Sequence, residues 1–203
     1  IYEDAENMTN SNGISVVTGT YDFTVTVTDH GNGVLTAVTN YPAGKNQFEF
    51  VNQYGTEPVP VEITGSKTLA HDTSLTPADI TGKFTFTLEA LTDGAPMPAQ
   101  ATAVNDAAGN VDFGRITFTT DLLQDAITTD NGVRTKEFEY KVTESGSAAG
   151  VTNDANASIG KTFKLTLTDD GNGNLTVTRN PADGPLFSFT NTYSVSELPS
   201  SIT

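Results

Sequence analysis

The chain has 203 residues, 36% of them hydrophobic, no cysteine, and a formal net charge of -15 at pH 7. So acidic a chain does not grip nucleic acid, which needs clustered Lys and Arg; without cysteine it has no disulfide, thiol nucleophile or thiolate metal ligand. No apolar run approaches the roughly 20 residues of a membrane helix, and Ile1 in place of a methionine reads as the start of a mature chain or a fragment.

In chain order, residues 1–55 hold four strand-like segments. The last, Phe48-Glu49-Phe50-Val51-Asn52-Gln53-Tyr54, returns near the far end as Phe187-Ser188-Phe189-Thr190-Asn191-Thr192-Tyr193. Side chains alternate faces along a strand, so each asparagine falls on a face otherwise made of aromatics. Gly55 to Pro60 carries two prolines and predicts a stiff, extended connector over 56–60. Beyond it Val61, Ile63, Gly65, Lys67 and Leu69 share one face. Phe84, Phe86 and Leu88 then alternate with polar residues, as do Ile116 with Phe118, Phe138 with Tyr140 and Val142, and Phe163 with Leu165 and Leu167. Threonine fills most outward places, as a half-exposed pleated surface favours. Only residues 121–127 read as helical, with Asp121 and Gln124 spaced for a cap pairing. Alternating runs separated by Gly/Asn/Asp turns predict an all-β chain, an antiparallel β-sandwich or barrel.

The chain also repeats itself. Phe23-Thr24-Val25-Thr26-Val27-Thr28-Asp29-His30-Gly31-Asn32-Gly33 aligns without a gap on Phe163-Lys164-Leu165-Thr166-Leu167-Thr168-Asp169-Asp170-Gly171-Asn172-Gly173. Asn52 aligns with Asn191 after one residue of slippage, and Tyr2-Glu3 falls near Thr143-Glu144. Residues 1–55 thus read as the C-terminal part of a first domain, 61–195 as a complete second copy, and 196–203 as a tail. Residues 1–55 do not easily close a sandwich alone: either the chain is cut from a longer protein or another chain supplies the missing strands.

Parity in the second copy turns three polar residues inward: Lys67, Glu144 and Asn191. Lys and Glu are rarely buried unless paired. One reading is a buried Lys–Glu ion pair with Asn191 hydrogen-bonded beside it. The other is an intramolecular amide bond. Burial lowers a lysine pKa and raises a glutamate pKa. A neutral Lys67 then attacks the Asn191 side-chain carbonyl, while a protonated Glu144 donates to that carbonyl and relays protons to the leaving ammonia.

The phrases Thr64-Gly65-Ser66-Lys67-Thr68-Leu69, Phe113-Gly114-Arg115-Ile116-Thr117-Phe118, Tyr140-Lys141-Val142-Thr143-Glu144 and Phe189-Thr190-Asn191-Thr192-Tyr193 lie in order through the second copy. In these, residues 61–195 resemble the isopeptide-forming domain of Gram-positive surface pilins, a relative of the collagen-adhesin B-type repeat. The resemblance implies tandem immunoglobulin-like β-sandwiches, with a self-formed crosslink in which Lys67 is nucleophile, Asn191 acceptor and Glu144 the catalytic carboxyl. In the first copy it maps Asn52 to the acceptor and Glu3 to the carboxyl. The strand that would carry the lysine is absent there, and Lys45 falls in a loop, so Asn52 is unreacted unless its lysine comes from another polypeptide.

Other motifs carry less. Asp29 to Gly33 and Asp169 to Gly173 resemble calcium loops but lack the glutamate at the loop's twelfth position, and each falls where a hairpin turn belongs. His30 and His71 have no companion ligands. Tyr41 to Asn46, with Lys45, resembles the lysine motif through which sortases join pilins, but reads better as a loop. Leu198-Pro199-Ser200-Ser201 resembles a worn sorting signal. Asn7-Met8-Thr9 and Asn156-Ala157-Ser158 fit the weak glycosylation pattern. No cofactor, metal site or enzyme grouping is evident. The expectation is an extracellular, wall-anchored or pilus stalk whose partners are neighbouring pilin or adhesin domains. The alternative is an adhesin module that contacts a host receptor, glycan or protein, through the loop 92–111.

Overall fold

The computed structural model describes residues 1–3, 12–16, 19–42 and 45–196. By its internal contacts the chain divides into two compact units, Ile1–Thr56 with Gly171–Asn174, and Glu57–Asp170 with Leu175–Thr203. Asn7, Met8 and Thr9, the loop residues Ala43 and Gly44, and Leu198 to Ser201 lie outside the described residues.

The first unit contains β1 (Ile14–Ser15), β2 (Thr24–Asp29), β3 (Leu35–Asn40) and β4 (Gln53–Tyr54). Strands β2 and β3 form an antiparallel hairpin, with Val27 opposite Ala37. At its tip Asp29 Oδ1 accepts the Gly31 N–H at 2.8 Å, and Gly31 and Gly33 take φ of 71° and 79°, the left-handed region a tight turn needs. The sequence thus reads correctly here as a turn. Strand β1 pairs antiparallel with the short β4. Rings of Tyr21, Phe48 and Phe50 cluster, with Tyr21 edge-on to Phe50 at 5.2 Å. Residues 48–52, which alternation marks as strand, are not in strand; only Gln53–Tyr54 pairs. Their counterparts in the second unit are held by a neighbouring strand with no equivalent among the described residues of the first.

The second unit is a two-layer β-sandwich. One layer holds β13 (Leu175–Asn180), β12 (Lys161–Asp169), β10 (Arg134–Gly146), β6 (Phe84–Ala90) and β7 (Thr102–Val104) in that order, with β9 (Ile127–Thr128) also on β10. The other holds β11 (Val151–Thr152), β14 (Ser188–Tyr193), β5 (Val59–Ala70) and β8 (Asn110–Phe118). All pairings are antiparallel except β14 with β5. The first and last long strands of the unit therefore lie side by side and run the same way. Between the layers, Phe84, Phe86, Phe118, Phe138, Phe163 and Phe189 are almost completely buried, each side chain contributing roughly 1.5–3 kcal/mol.

Three expectations are corrected. The helix over 121–127 is a single 3-10 turn, Thr120–Leu123, with Thr119 at its N-cap position and no side-chain cap bond; Ile127 belongs to strand β9. The loop 92–111 is not continuous, because Thr102–Val104 pairs with β6. The connector drawn over 56–60 overlaps β5, which begins at Val59 and pairs Pro60 with Thr117.

Candidate covalent crosslink site

Lys67 stands on β5 and Asn191 on its parallel neighbour β14, where Phe189 lies opposite Lys67 and Asn191 opposite Leu69. Glu144 reaches in from β10 in the facing sheet, its own N–H held by the Ala157 carbonyl at 2.8 Å. Lys67, Glu144 and Asn191 are all buried, at 5%, 4% and 0% exposure respectively. The structure thus brings together the three residues that parity turns inward, between the two layers.

One carboxylate oxygen is common to the other two groups. Glu144 Oε1 is 2.8 Å from Lys67 Nζ and accepts from Asn191 Nδ2 at 3.3 Å. The contact to Nζ is close but poorly directed, so Nζ is a buried nitrogen without a well-angled acceptor, and Glu144 Oε2 likewise has no hydrogen-bond partner. On another side Nζ meets the Phe84 ring, 4.6 Å from its centroid. Burial is the main cause that pulls the Lys67 pKa down from its ordinary value. The contact with Glu144 and the negative charges of Glu144 and Asp154 oppose it, and the charge of Lys161 adds to it. Lysine in such a place loses its proton more readily, which is what a nucleophilic amine needs.

The acceptor amide has a defined orientation. Asn191 Oδ1 accepts the Asp154 backbone N–H at 2.7 Å, and a backbone N–H can donate only to the oxygen. Nδ2 therefore points to Glu144 and, at 3.5 Å, to Asn153 Oδ1. This corrects the expectation that Glu144 faces the carbonyl: its oxygen lies beside the nitrogen that would leave.

Asp154 and Lys161 were not singled out by the sequence. Lys161 Nζ reaches Asp154 Oδ2 at 2.8 Å and also donates to the Ser188 carbonyl. Burial works to raise the Asp154 pKa. Hydrogen bonds from Lys161, Thr190 and Asn156 and the charge of Lys161 outweigh it, and the pKa settles at about 2. A signal for Lys161 was present, because it shares parity with Phe163, Leu165 and Leu167. Asp154 carried none, since it resembles any aspartate that opens a turn.

In the first unit Asn52 Nδ2 donates to Glu3 Oε1 at 2.9 Å. Glu3 Oε2 and Asn52 Oδ1 are buried without a hydrogen-bond partner. Lys45, the only lysine of residues 1–55, is exposed. Among the described residues no cluster of His, Cys, Asp or Glu is placed to hold a metal ion, and no helix is long and apolar enough to cross a membrane.

A family model described as FctA, Spy0128-like isopeptide containing domain, matches residues 1–55 and 63–194. The two stretches coincide with the two copies of the repeat. No curated protein and no solved structure matches the chain. The chain belongs to the FctA, Spy0128-like isopeptide-containing family, and it is a pilin-type surface-protein chain of immunoglobulin-like β-sandwich architecture.

Proposed function

We propose that the chain is a stalk segment of a Gram-positive pilus or wall-anchored adhesin, and that its second unit reinforces itself by a Lys67–Asn191 isopeptide bond. The observation that carries this reading is the single Glu144 oxygen shared by Lys67 Nζ and Asn191 Nδ2. Neutral Nζ attacks Asn191 Cγ, and the Nζ–Cγ bond forms. A proton given up by Nζ passes through Glu144 Oε1 to Nδ2, the Cγ–Nδ2 bond breaks, and ammonia leaves. Holding the groups in contact makes the step effectively unimolecular. It happens once per chain, not in turnover on an external substrate.

The bond closes a loop from Lys67 to Asn191. By the chain-entropy account written for disulfides, a loop of that length contributes about 4–5 kcal/mol. It also links the first long strand to the last. Tension that enters along β5 and leaves along β14 passes through a covalent bond and not through the sheets between. A chain with this task works outside the cell, joined to neighbouring pilin domains. In the first unit, Asn52 and Glu3 form the corresponding acceptor and carboxyl, for a lysine that comes from outside residues 1–55.

Intact mass tests the bond. The purified chain should be lighter than its sequence by one ammonia, and digestion should yield a peptide that joins Lys67 to Asn191. A folded chain at its full sequence mass refutes the reading. Glu144→Ala should fold, keep its ammonia and lose the stabilisation of the closed loop; a normally crosslinked Glu144→Ala chain would remove the role given to that carboxyl.

A further inference from the structure

When Nζ attacks Cγ, charge develops on Asn191 Oδ1. Among the described residues, the donor aimed at that oxygen is the Asp154 backbone N–H, at 2.7 Å before any reaction. It belongs to no strand; it sits in the turn between β11 and β12, whose position the sandwich alone does not fix. The Asp154 side chain supplies the missing constraint. Its Oδ1 accepts the Asn156 N–H at 2.9 Å, which shapes the turn. Its Oδ2 accepts both Lys161 Nζ and the Thr190 N–H at 2.8 Å. Thr190 is the residue before the acceptor, so this bond ties the turn to β14 beside Asn191. Lys161 secures the same strand a second way, through the Ser188 carbonyl and the Phe189 ring, 4.9 Å from its centroid.

We propose that Asp154 is the positioning residue of the crosslinking reaction: its carboxylate, held by Lys161 and the Thr190 N–H, fixes the turn so that its own backbone N–H stabilises the oxyanion on Asn191. This rests on the Lys67–Asn191 reading. As the Nζ–Cγ bond forms, the electron pair of the Cγ–Oδ1 double bond moves onto Oδ1 and is met by that N–H. It returns as the Cγ–Nδ2 bond breaks and ammonia carries off the proton relayed by Glu144. A donor already in place needs no reorganisation at the moment of reaction. Glu144 serves the two nitrogens, which share its one oxygen, and Asp154 serves the oxygen.

The side chain could instead act by charge, and the two roles have opposite signs. The negative charge of Asp154 holds the Lys67 pKa up. If charge were its only influence, its removal would leave Lys67 more readily neutral and speed the reaction. Loss of the staple slows it. The test is cell-free synthesis of the full chain, with the fraction that has lost ammonia followed by intact mass. Asp154→Ala should react at least about 10-fold more slowly, on a scale where complete loss of one oxyanion donor costs about 100- to 1000-fold. Asp154→Asn keeps a carbonyl oxygen for the Thr190 N–H and should recover most of the rate, which a general loosening of the fold would not allow. An Asp154→Ala chain that reacts at the parent rate or faster overturns the proposal and leaves the isopeptide reading intact; a parent chain that never loses ammonia removes both. Should circular dichroism show Asp154→Ala unfolded, Lys161→Met decides the matter on the alkaline plateau of the pH–rate profile. There Lys67 is neutral in both chains, and loss of the Lys161 charge, which helps lower the Lys67 pKa, no longer counts. The variant severs one arm of the staple, so a slower reaction there supports the proposal and an unchanged one overturns it.

Discussion

The Lys67 side chain has no solvent-exposed surface, and its amine faces one carboxylate oxygen and one aromatic ring. Parity made it legible, because a lysine between Gly65 and Leu69 on the inward face has nowhere to go but the interior. Glu144 and Asn191 were found by the same rule. The orientation of the amide was not legible, because it depends on a backbone N–H from a turn that follows no period. The lowered Lys67 pKa, which burial causes, has a measurable sign. An unfolded chain holds the lysine proton up to about pH 10.4, while the folded chain releases it at lower pH. Between the two values the unfolded state binds more protons, so stability rises with pH. Below the folded value the slope vanishes and the destabilisation is complete. Asn191→Ala, which cannot crosslink, should therefore gain stability toward alkaline urea unfolding relative to Lys67→Met/Asn191→Ala, which lacks the titrating group. A pH-independent difference between these variants would mean that Lys67 ionises as in water, and the nucleophile would lose its activation.

Long strands were legible as elements because alternation over several residues exceeds chance. The missed and misread elements are short. Thr102–Val104 is three residues without an alternating pattern, and the 3-10 turn Thr120–Leu123 buries only Leu123, too little for a helical period to show. Strand β5 carries a further constraint that its pattern only hinted at. Its inward face runs Val61, Ile63, Gly65, Lys67 and Leu69, with one small place in the middle. The structure fills that place from elsewhere: a Cβ on Gly65 would come within 2.1 Å of the Phe187 ring. Phe187 packs in turn on Phe113 and Phe189, at 5.8 and 6.2 Å between centroids. Close approach of a ring, not backbone strain, is why glycine stands here. Gly65→Ala must displace Phe187 and should cost about 1–3 kcal/mol, the range for an overpacked core, read as a lower denaturation midpoint in the Asn191→Ala background. Because Phe187 begins the segment that carries Asn191, the crosslinkable chain with Gly65→Ala should also lose ammonia more slowly. A variant as stable as its parent would show that the ring has room to move.

At the scale of the molecule, the repeat was legible without a gap over residues 23–33 and with one residue of slippage to either side, and it states what residues 1–55 contain: counterparts of Glu144 and Asn191, but not of the strand that bears Lys67. The structure adds two consequences. The hairpin face of the first unit is open, with Phe23 at 44% and Leu35 at 65% exposure, where the equivalent Phe163 and Leu175 of the second unit are at 2% and 9%. Carboxyl and amide are already in contact there, at 2.9 Å, and each keeps one buried oxygen without a partner. These are the features expected where a lysine-bearing strand belongs. Residues 61–141 of this chain form the part of the second copy that precedes the segment aligned with Ile1, so joining a duplicate of them directly before Ile1 supplies what the alignment lacks. The extended chain should lose two molecules of ammonia, and Asn52→Ala within it should return the loss to one. Its added Lys67 equivalent should appear in a peptide linked to Asn52, and backbone amides of β2 and β3 should become slower to exchange as strands cover the open face. A loss of one ammonia from the extended chain, with the second unit crosslinked as before, would deny Asn52 the acceptor role and leave the Glu3–Asn52 contact as an ordinary hydrogen bond.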